Sequence, residues 1–214
     1  MTRDTLFTAK EEEKATREGF GEGLVHAGEL DTRVVALCAD LTESVKMDGF
    51  RAKFPNRFFE VGITEQAMSG LASGMAAFGY IPFMSSYAMF SPGRNWEQIR
   101  TTIAYNNVPV KVVGAHAGIS VGPDGATHQA IEDIAIMRMI PNMQVFVPCD
   151  AVEARAITEH IATTKSPSYL RLTREKTPMM LPDTYTWNHG KAYVMHMPIH
   201  KHGGQFSHNV GIIA

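Results

Sequence analysis

One acidic residue stands where a predicted strand gives way to a predicted helix. Glu65 follows Gly62-Ile63-Thr64, and Thr64 occupies the position of a helix N-cap. The ordinary interpretation is a first-turn acid that the helix dipole stabilises. The functional interpretation is a buried carboxyl that holds a proton and shares it with a ring nitrogen of a ligand. The pattern alone favours the ordinary interpretation, so Glu65 enters as a candidate.

Two aromatic residues and a long loop add further candidates. Tyr87 and Phe90 lie three residues apart in YAMFSPGR, where they either pack in the core or clasp a flat heterocycle. The loop from His116 to His128 consists mainly of small residues and contains Asp124. Small residues let the backbone approach a ligand, and histidine can donate to phosphate or hydroxyl oxygens. The loop matches neither a zinc signature nor a P-loop, and it favours a ligand-binding loop over a plain surface loop.

Three arginines carry less information. Arg17 lies in a predicted helix, where a solvated face is the usual explanation. Arg171 and Arg174 end the last predicted strand, where a surface charge and a phosphate clamp are equally good interpretations.

An alternation of short apolar strands with helices must position these side chains. Strands are predicted in RVVALCAD, RFFEVG, YIPFMSSY, VPVKVVGAH, MQVFVP and PSYLRLT. Helices are predicted over residues 10–29, in TEQAMSGLASGMAAFG, from Ser91-Pro92 onward, in AIEDIAIMRMI and in CDAVEARAITEHIATT. This alternation predicts an α/β fold, a parallel sheet sandwiched by helices with right-handed connections. Ligands of such sheets bind beyond the carboxyl ends of the strands. The polar residues there are Asp40, Thr42, Ser44, Thr64, Glu65, Ser85, Ser86, Tyr87, His116 and Arg174.

The domain boundary is expected near residue 176. The layered domain should span residues 8–176, while residues 177–214 should form a linker and the start of an incomplete further domain. That second region contains one predicted strand, KAYVMHM, a polar stretch and a final apolar VGIIA.

Composition narrows the class of protein. The 214 residues are 44% hydrophobic and carry a net charge of −2, which suits one substantial core and does not call for nucleic acid or an anionic membrane as partner. The N-terminus is polar and acidic, unlike a signal peptide, and no apolar run approaches the ~20 residues of a membrane span. Cys38 and Cys149 end apolar runs and are expected to be buried free thiols in a reducing cytoplasm.

The candidates occur within an ordered series of motifs. These are ATREGFGEGL, CADLTES, FFEVGITEQAM, SSYAMF, HAGISVGPDGATHQ, RMIPNMQVFVPCDAVEA and YLRLTRE. From about residue 15 to 176 the series resembles the middle domain of transketolase and its relatives. The sequence HAGISVG most resembles the corresponding motif in the separately encoded C-terminal subunits of split transketolases. The resemblance implies a domain that binds the aminopyrimidine of thiamine diphosphate between two subunits.

The resemblance implies cofactor roles position by position. Glu65 matches the acid that hydrogen-bonds N1′ of the pyrimidine, and Asp40 matches a residue that lines the cofactor pocket. Tyr87 and Phe90 match aromatics that pack on the ring. The family often places a third aromatic where this chain has Gly93.

It implies substrate roles in the same way. Arg17, Ser44, His116 and Arg174 match the family's grip on the sugar phosphate. Asp124 and His128 match groups that bond substrate hydroxyls, and His128 joins Glu65 as an expected catalytic residue.

The resemblance also implies a partner. The chain lacks the Gly-Asp-Gly segment with which the family holds the diphosphate and Mg²⁺ (or Ca²⁺), so a separate N-terminal subunit is expected to supply it. Homodimerisation would then give a heterotetramer that transfers a two-carbon ketol unit between sugar phosphates. Two alternatives stay open: an enzyme like 1-deoxyxylulose-5-phosphate synthase, and a non-catalytic truncated remnant. The β-subunit of 2-oxo-acid dehydrogenases fits the HAGISVGPDGATHQ loop poorly.

Overall fold

Six parallel strands form the central sheet of the protein, whose residues 12–193 are described by a computed structural model. The strands are β2 (Val34–Cys38), β3 (Phe58–Glu60), β4 (Ile81–Tyr87), β5 (Lys111–Ala115), β6 (Gln144–Phe146) and β7 (Ser168–Arg171). Their order is β3-β2-β4-β5-β7-β6, and every neighbouring pair is parallel. The strand that follows β2 in the chain, β3, lies on one side of β2, and the next strand, β4, lies on the other side. This reversal puts a switch point between β2 and β4. The predicted α/β fold is confirmed.

Helices cover both faces of this sheet because its strands are apolar on both sides. In β2, Val34, Ala36 and Cys38 pack into one core and Val35 and Leu37 into the other. The first core is covered by α1 (Thr16–Leu30), α2 (Asp48–Lys53) and α6 (Ala151–Thr163). The second is covered by α3 (Glu65–Ala77), α4 (Trp96–Gln98) with the π-helical turn Ile99–Ala104 that continues it, and α5 (Asp133–Arg138).

The start of α1 is fixed at the carboxyl edge of the sheet. Thr16 accepts a hydrogen bond from the backbone N–H of Thr173 at 2.9 Å, just after β7. At Gly19, a Cβ atom would lie 1.9 Å from the carbonyl oxygen of Ala151, so only glycine lets α1 approach α6 this closely. These contacts bring Arg17 to the edge where strands β2, β4, β5 and β7 end.

A two-stranded antiparallel sheet joins the two ends of the described chain. It pairs β1 (Glu13–Ala15) with β8 (Lys176–Pro178), so β8 spans the boundary expected at residue 176. Beyond β8, Met179 and Leu181 are buried against Val152 of α6. Residues 191–193 form no strand, and the rest of the predicted strand KAYVMHM lies outside the described residues.

Three details of the sequence analysis are wrong. The helix predicted over residues 10–29 does not include residues 13–15, which form β1, and α1 begins at Thr16. No helix begins at Ser91-Pro92: residues 88–95 form turns around a cis Ser91–Pro92 peptide bond, and the helix starts at Trp96. Cys38 is a buried free thiol as expected, but Cys149 is exposed.

The helices of residues 12–193 lack the combination of length and apolarity that crossing a membrane requires.

Candidate functional site

Glu65 is a buried carboxylate whose partners are side chains. It is the first residue of α3, and only 1% of its surface is exposed. Its Oε1 accepts from Ser86 Oγ at 3.2 Å, and its Oε2 accepts from Arg94 Nη1 at 2.6 Å. Thr64 makes no side-chain cap, because its hydroxyl donates to the carbonyl of Val61 at 2.8 Å. The helix start therefore directs Glu65 inward, toward the end of β4.

The turn after β4 is tied to α3 by a fully buried amide. Asn95 Nδ2 lies 3.2 Å from the Glu65 carbonyl oxygen, 2.9 Å from Ser69 Oγ and 3.1 Å from Ser91 Oγ. Its Oδ1 is buried without a hydrogen-bond partner among residues 12–193. Asn95 thus fixes the turn that carries Phe90 and Arg94 relative to the helix that carries Glu65.

Aromatic rings form a group that Arg94 connects to this carboxylate. The rings of Tyr87 and Phe90 are 17° from parallel with centroids 6.4 Å apart. The ring of His128 meets them edge-on, at 5.2 Å from Phe90 and 6.2 Å from Tyr87, and His116 lies 4.1 Å from Tyr87. Tyr87 and Phe90 are only half-buried, so a flat ligand can reach their surfaces.

A glycine stands at the position where the family often has a third aromatic, and a cation follows it in the chain. At Gly93 a Cβ atom would lie 1.9 Å from the backbone oxygen of Met89, so the turn excludes any side chain at that position. The next residue, Arg94, places its guanidinium carbon 4.7 Å from the centroid of Phe90. Phe90 therefore has a cation–π contact from Arg94, and position 93 contributes no ring to the site.

His116 and Arg17 form a second group at the same edge. Arg17 Nη1 lies 2.8 Å from the carbonyl oxygen of Ser44 and 3.1 Å from His116 Nε2. The pKa of His116 is lowered to about 4, chiefly by burial and further by the positive charges of Arg17 and Arg174, against the opposing charge of Asp124. Because a guanidinium only donates, Nε2 of the neutral ring accepts and Nδ1 carries the proton. That Nδ1 has no partner among residues 12–193, which leaves a buried donor for a ligand oxygen.

The two arginines after β7 have different surroundings. Arg171 Nε donates to Asp133 at 2.9 Å, and the same oxygen accepts from Tyr169 at 2.7 Å in the interior. This network is structural. Arg174 instead donates from Nη1 to the carbonyl of Val121, in the loop that carries Asp124. Of the pair, Arg174 is the one that belongs to the site.

Asp40 lies after β2, where the backbone turns sharply. Its φ is 59°, its side chain is exposed, and its N–H donates to Glu60 Oε1 at 2.6 Å. Thr42 Oγ1 donates to the other oxygen of Glu60 at 2.7 Å. Glu60 therefore shapes the Asp40 turn, while the ring cluster is assembled by other residues.

The structure brings most sequence candidates together but adds residues that the sequence analysis gave no role. One contiguous cluster contains Tyr87, Phe90, His116, His128 and Arg17, and Arg94 joins Glu65 to it. Ser44, Asp124 and Arg174 adjoin this cluster through Arg17, His116 and Val121. The added residues are Arg94, Asn95, Glu60 and, as a direct partner of Glu65, Ser86. The spacing of Phe90 and Arg94 was one available signal, because four residues suit a cation over a ring within a turn.

The cluster fits the pyrimidine half of thiamine diphosphate. It offers a buried carboxylate for a ring nitrogen and two aromatic rings for a flat ligand, while the unsatisfied Nδ1 of His116 suits an oxygen of a second ligand, because the aminopyrimidine has none. Within residues 12–193, no three His, Cys, Asp or Glu side chains are arranged to hold a metal ion.

Comparison with known proteins gives a consistent result. The family model for the transketolase pyrimidine-binding domain matches residues 12–180. The "putative transketolase C-terminal section" of Methanocaldococcus jannaschii is 44% identical over 184 residues, which cover 85% of this chain and 58% of that protein. A 6-deoxy-6-sulfo-D-fructose transketolase subunit of Clostridium sp. is 35% identical over 189 residues, covering 88% of this chain and 59% of that protein.

A solved structure agrees with these matches. A split-gene transketolase, described as an inactive β4 tetramer, superposes with a TM-score of 0.78 at 43% identity and covers 86% of this chain and 59% of that one. The chain thus spans less than two thirds of the length of these relatives. The resemblance drawn from the motifs is confirmed: the chain belongs to the transketolase family and carries its pyrimidine-binding domain.

Proposed function

We propose that this chain is one subunit of a split, thiamine-diphosphate-dependent transketolase that moves a two-carbon ketol unit between sugar phosphates. One observation carries the proposal: Arg94 links the buried carboxylate of Glu65 to the ring of Phe90, which is near-parallel to the ring of Tyr87. A carboxyl shielded from water makes strong hydrogen bonds, which suits a shared proton.

Three side chains of this chain would hold the pyrimidine. Glu65 would share a proton with N1′, while Tyr87 and Phe90 pack on the ring. Thiamine diphosphate, when bound, supplies a nucleophilic carbon that side chains lack. Asp40, at the same sheet edge, is proposed to line the pocket.

The His116 group would bind the sugar phosphate. Arg17 and Arg174 supply positive charge, and the protonated Nδ1 of His116 supplies a donor without a competing partner among residues 12–193. The Ser44 backbone orients Arg17. Asp124 and His128 are proposed to bond substrate hydroxyls. His128 contacts both aromatic rings, and Asp124 lies close enough for its charge to oppose the lowering of the His116 pKa.

An exposed face of α3 supports a partner subunit. Ile63, Leu71 and Phe78 are exposed around this helix. Between them, Gly70 and Gly74 have no atoms from elsewhere in the described chain within 4 Å of a would-be Cβ. An apolar face without charges favours a protein interface over water. The N-terminal partner would bind there and hold the diphosphate and Mg²⁺, in a heterotetramer.

Mixing experiments test the proposal. The chain is combined with an N-terminal transketolase subunit from the same organism, thiamine diphosphate and Mg²⁺, and transfer from xylulose 5-phosphate is measured. We expect turnover by the mixture and none by the chain alone. Glu65→Ala should lower the rate by about 100-fold or more, as loss of a positioned proton donor does. Glu159→Ala, which removes a half-buried acid paired with His26 at 2.9 Å, should leave the rate unchanged.

The alternatives give different results in the same mixture. Pyruvate consumption with glyceraldehyde 3-phosphate would indicate an enzyme like 1-deoxyxylulose-5-phosphate synthase. Cofactor binding without turnover on any ketose would indicate a non-catalytic module. Full activity of the Glu65→Ala mixture would contradict the role of the carboxylate.

A further inference from the structure

A half-exposed cation lies across the candidate pyrimidine site. The Arg94 guanidinium donates to Glu65 at 2.6 Å and covers the ring of Phe90 at 4.7 Å, while 45% of its side chain faces solvent. Its neighbour Asn95 is fully buried and lies within hydrogen-bond distance of two residues of α3, Glu65 and Ser69, and of Ser91 in its own turn. Arg94 is thus a movable group on a fixed turn.

The guanidinium contacts the two groups that a bound pyrimidine would need, the carboxylate of Glu65 and the ring of Phe90. Like the ring, it is flat, stacks on an aromatic face and engages a carboxyl oxygen. The oxygen of Glu65 that accepts from Arg94 is not available in that position to a ring nitrogen. Arg94 and a heterocycle therefore compete for the same carboxylate and for the ring of Phe90.

The competition can be resolved without refolding the turn. The backbone N–H of Arg94 donates to the carbonyl of Phe90 at 3.0 Å, and the next residue, Asn95, donates to the carbonyl of Glu65 at 3.2 Å. The long side chain can rotate into solvent while the second partner of Glu65, Ser86 Oγ, stays in place on β4. Rotation exposes both the carboxylate and the ring together.

We propose that Arg94 gates the pyrimidine site: it closes the site over Glu65 and Phe90 in the free protein and is displaced when the cofactor ring enters. This inference rests on the proposed function, because it names the group that the ring must displace. Arg94 acts through Glu65 and is in this sense a positioning residue.

A double-mutant cycle tests the gate by affinity rather than by turnover. Thiamine diphosphate with Mg²⁺ is titrated calorimetrically into the mixed complex carrying the wild-type chain, Arg94→Met, Glu65→Gln or both changes. Methionine keeps an apolar stem over Phe90 but removes the competing charge. We expect Arg94→Met to tighten binding about tenfold when Glu65 is present, since a charge-assisted hydrogen bond is lost from the free state. When Glu65→Gln is already in place, the gain should fall to about threefold or less, because a neutral amide holds Arg94 weakly.

Arg51 provides a matched control. Its Nη2 donates to Glu43 at 2.6 Å, it lies 6.0 Å from the ring of Phe58, and 47% of its side chain is exposed. Arg51→Met should leave the affinity unchanged, and thermal unfolding should show that both variants fold. Unchanged or weaker binding by a folded Arg94→Met complex would overturn the gate.

The outcomes separate the gate from the proposed function. Tighter binding without any ketol transfer would contradict the proposed function and support the gate. Transfer by the wild type with no affinity gain in Arg94→Met would support the function and contradict the gate. Absence of binding in every variant would contradict both proposals.

Discussion

Two buried carboxylates stand at the start of two helices, and their surroundings differ. Asp150, the N-cap of α6, is fully buried and accepts from the backbone N–H groups of Glu153, Met180 and Leu181 at 2.8, 2.7 and 2.8 Å. Glu65, at the start of α3, is 1% exposed and accepts only from the side chains of Ser86 and Arg94 among residues 12–193.

The difference shows which kind of burial indicates a site. The partners of Asp150 are backbone N–H groups, which cannot move away, so its charge holds the N-terminus of α6 against residues 180 and 181. The partners of Glu65 are a hydroxyl, which both donates and accepts, and a half-exposed guanidinium, which can leave. Burial is the same in both, and only exchangeable partners leave a carboxylate free for a ligand.

The largest expected contrast comes from making the same change at both positions. Asp150→Asn puts an amide NH₂ among three backbone donors and should cost about 3 kcal/mol of the free energy of unfolding, since a donor then faces a donor. Glu65→Gln should cost about 1 kcal/mol or less, because its NH₂ can donate to Ser86 and its oxygen can still accept from Arg94. Urea unfolding of the two variants measures the difference.

The effects of the same two changes on cofactor affinity should have the reverse order. Asp150→Asn should leave the affinity for thiamine diphosphate unchanged wherever the variant remains folded, whereas Glu65→Gln should change that affinity. Equal stability losses in the two variants would mean that Glu65 supports the fold as strongly as Asp150 does.

A second contrast concerns pH, because His116 is buried as a neutral ring. Its folded pKa is about 4 against an ordinary value of 6.5, chiefly through burial. The unfolded chain therefore takes up the proton first, so stability is full above pH 6.5 and falls as the pH drops toward 4. Between pH 7 and pH 5 this histidine alone should remove about 2 kcal/mol.

His116→Asn isolates this contribution. Asparagine tolerates the positive φ of 54° and cannot take up a proton, so the variant should lose less stability than the wild type over the same pH interval. Urea midpoints at pH 7, 6 and 5 measure the difference. Parallel losses in both proteins would assign the acid sensitivity to other groups.

The sheet was predictable from the sequence because apolar runs such as VVALC and KVVGA fill strands that are buried on both faces. The turn after β4 was not. Ser91-Pro92 is a common start of a helix, but here the peptide bond is cis and Asn95 ties the turn to α3, a contact that depends on tertiary packing. The pairing of β1 with β8 joins distant parts of the chain, which periodicity does not reveal.

The residues of the site likewise divide into those that the sequence could indicate and those that it could not. Positions at strand ends and the family motifs indicated Glu65, Tyr87, Phe90 and His116, because parallel strands bring their carboxyl ends to one edge. Arg94 lies inside the turn that was expected to be a helix, so its contact with Glu65 was not expected. Glu60 lies within the short strand β3, and nothing local indicates that it holds the Asp40 turn.

The smallest expected effect separates two adjacent serines of β4. Ser85 and Ser86 are both fully buried, but Ser85 donates to the carbonyl of Val113 at 3.1 Å and Ser86 donates to Glu65 at 3.2 Å. Replacing either by alanine should cost about 1 kcal/mol of stability, the usual net value of one hydrogen bond. Only Ser86→Ala frees the inner oxygen of Glu65, so it alone should lower thiamine diphosphate affinity in the mixed complex, by about threefold to tenfold. Calorimetric titration of both variants measures this, and equal affinities would show that the bound ring orients the carboxylate without Ser86.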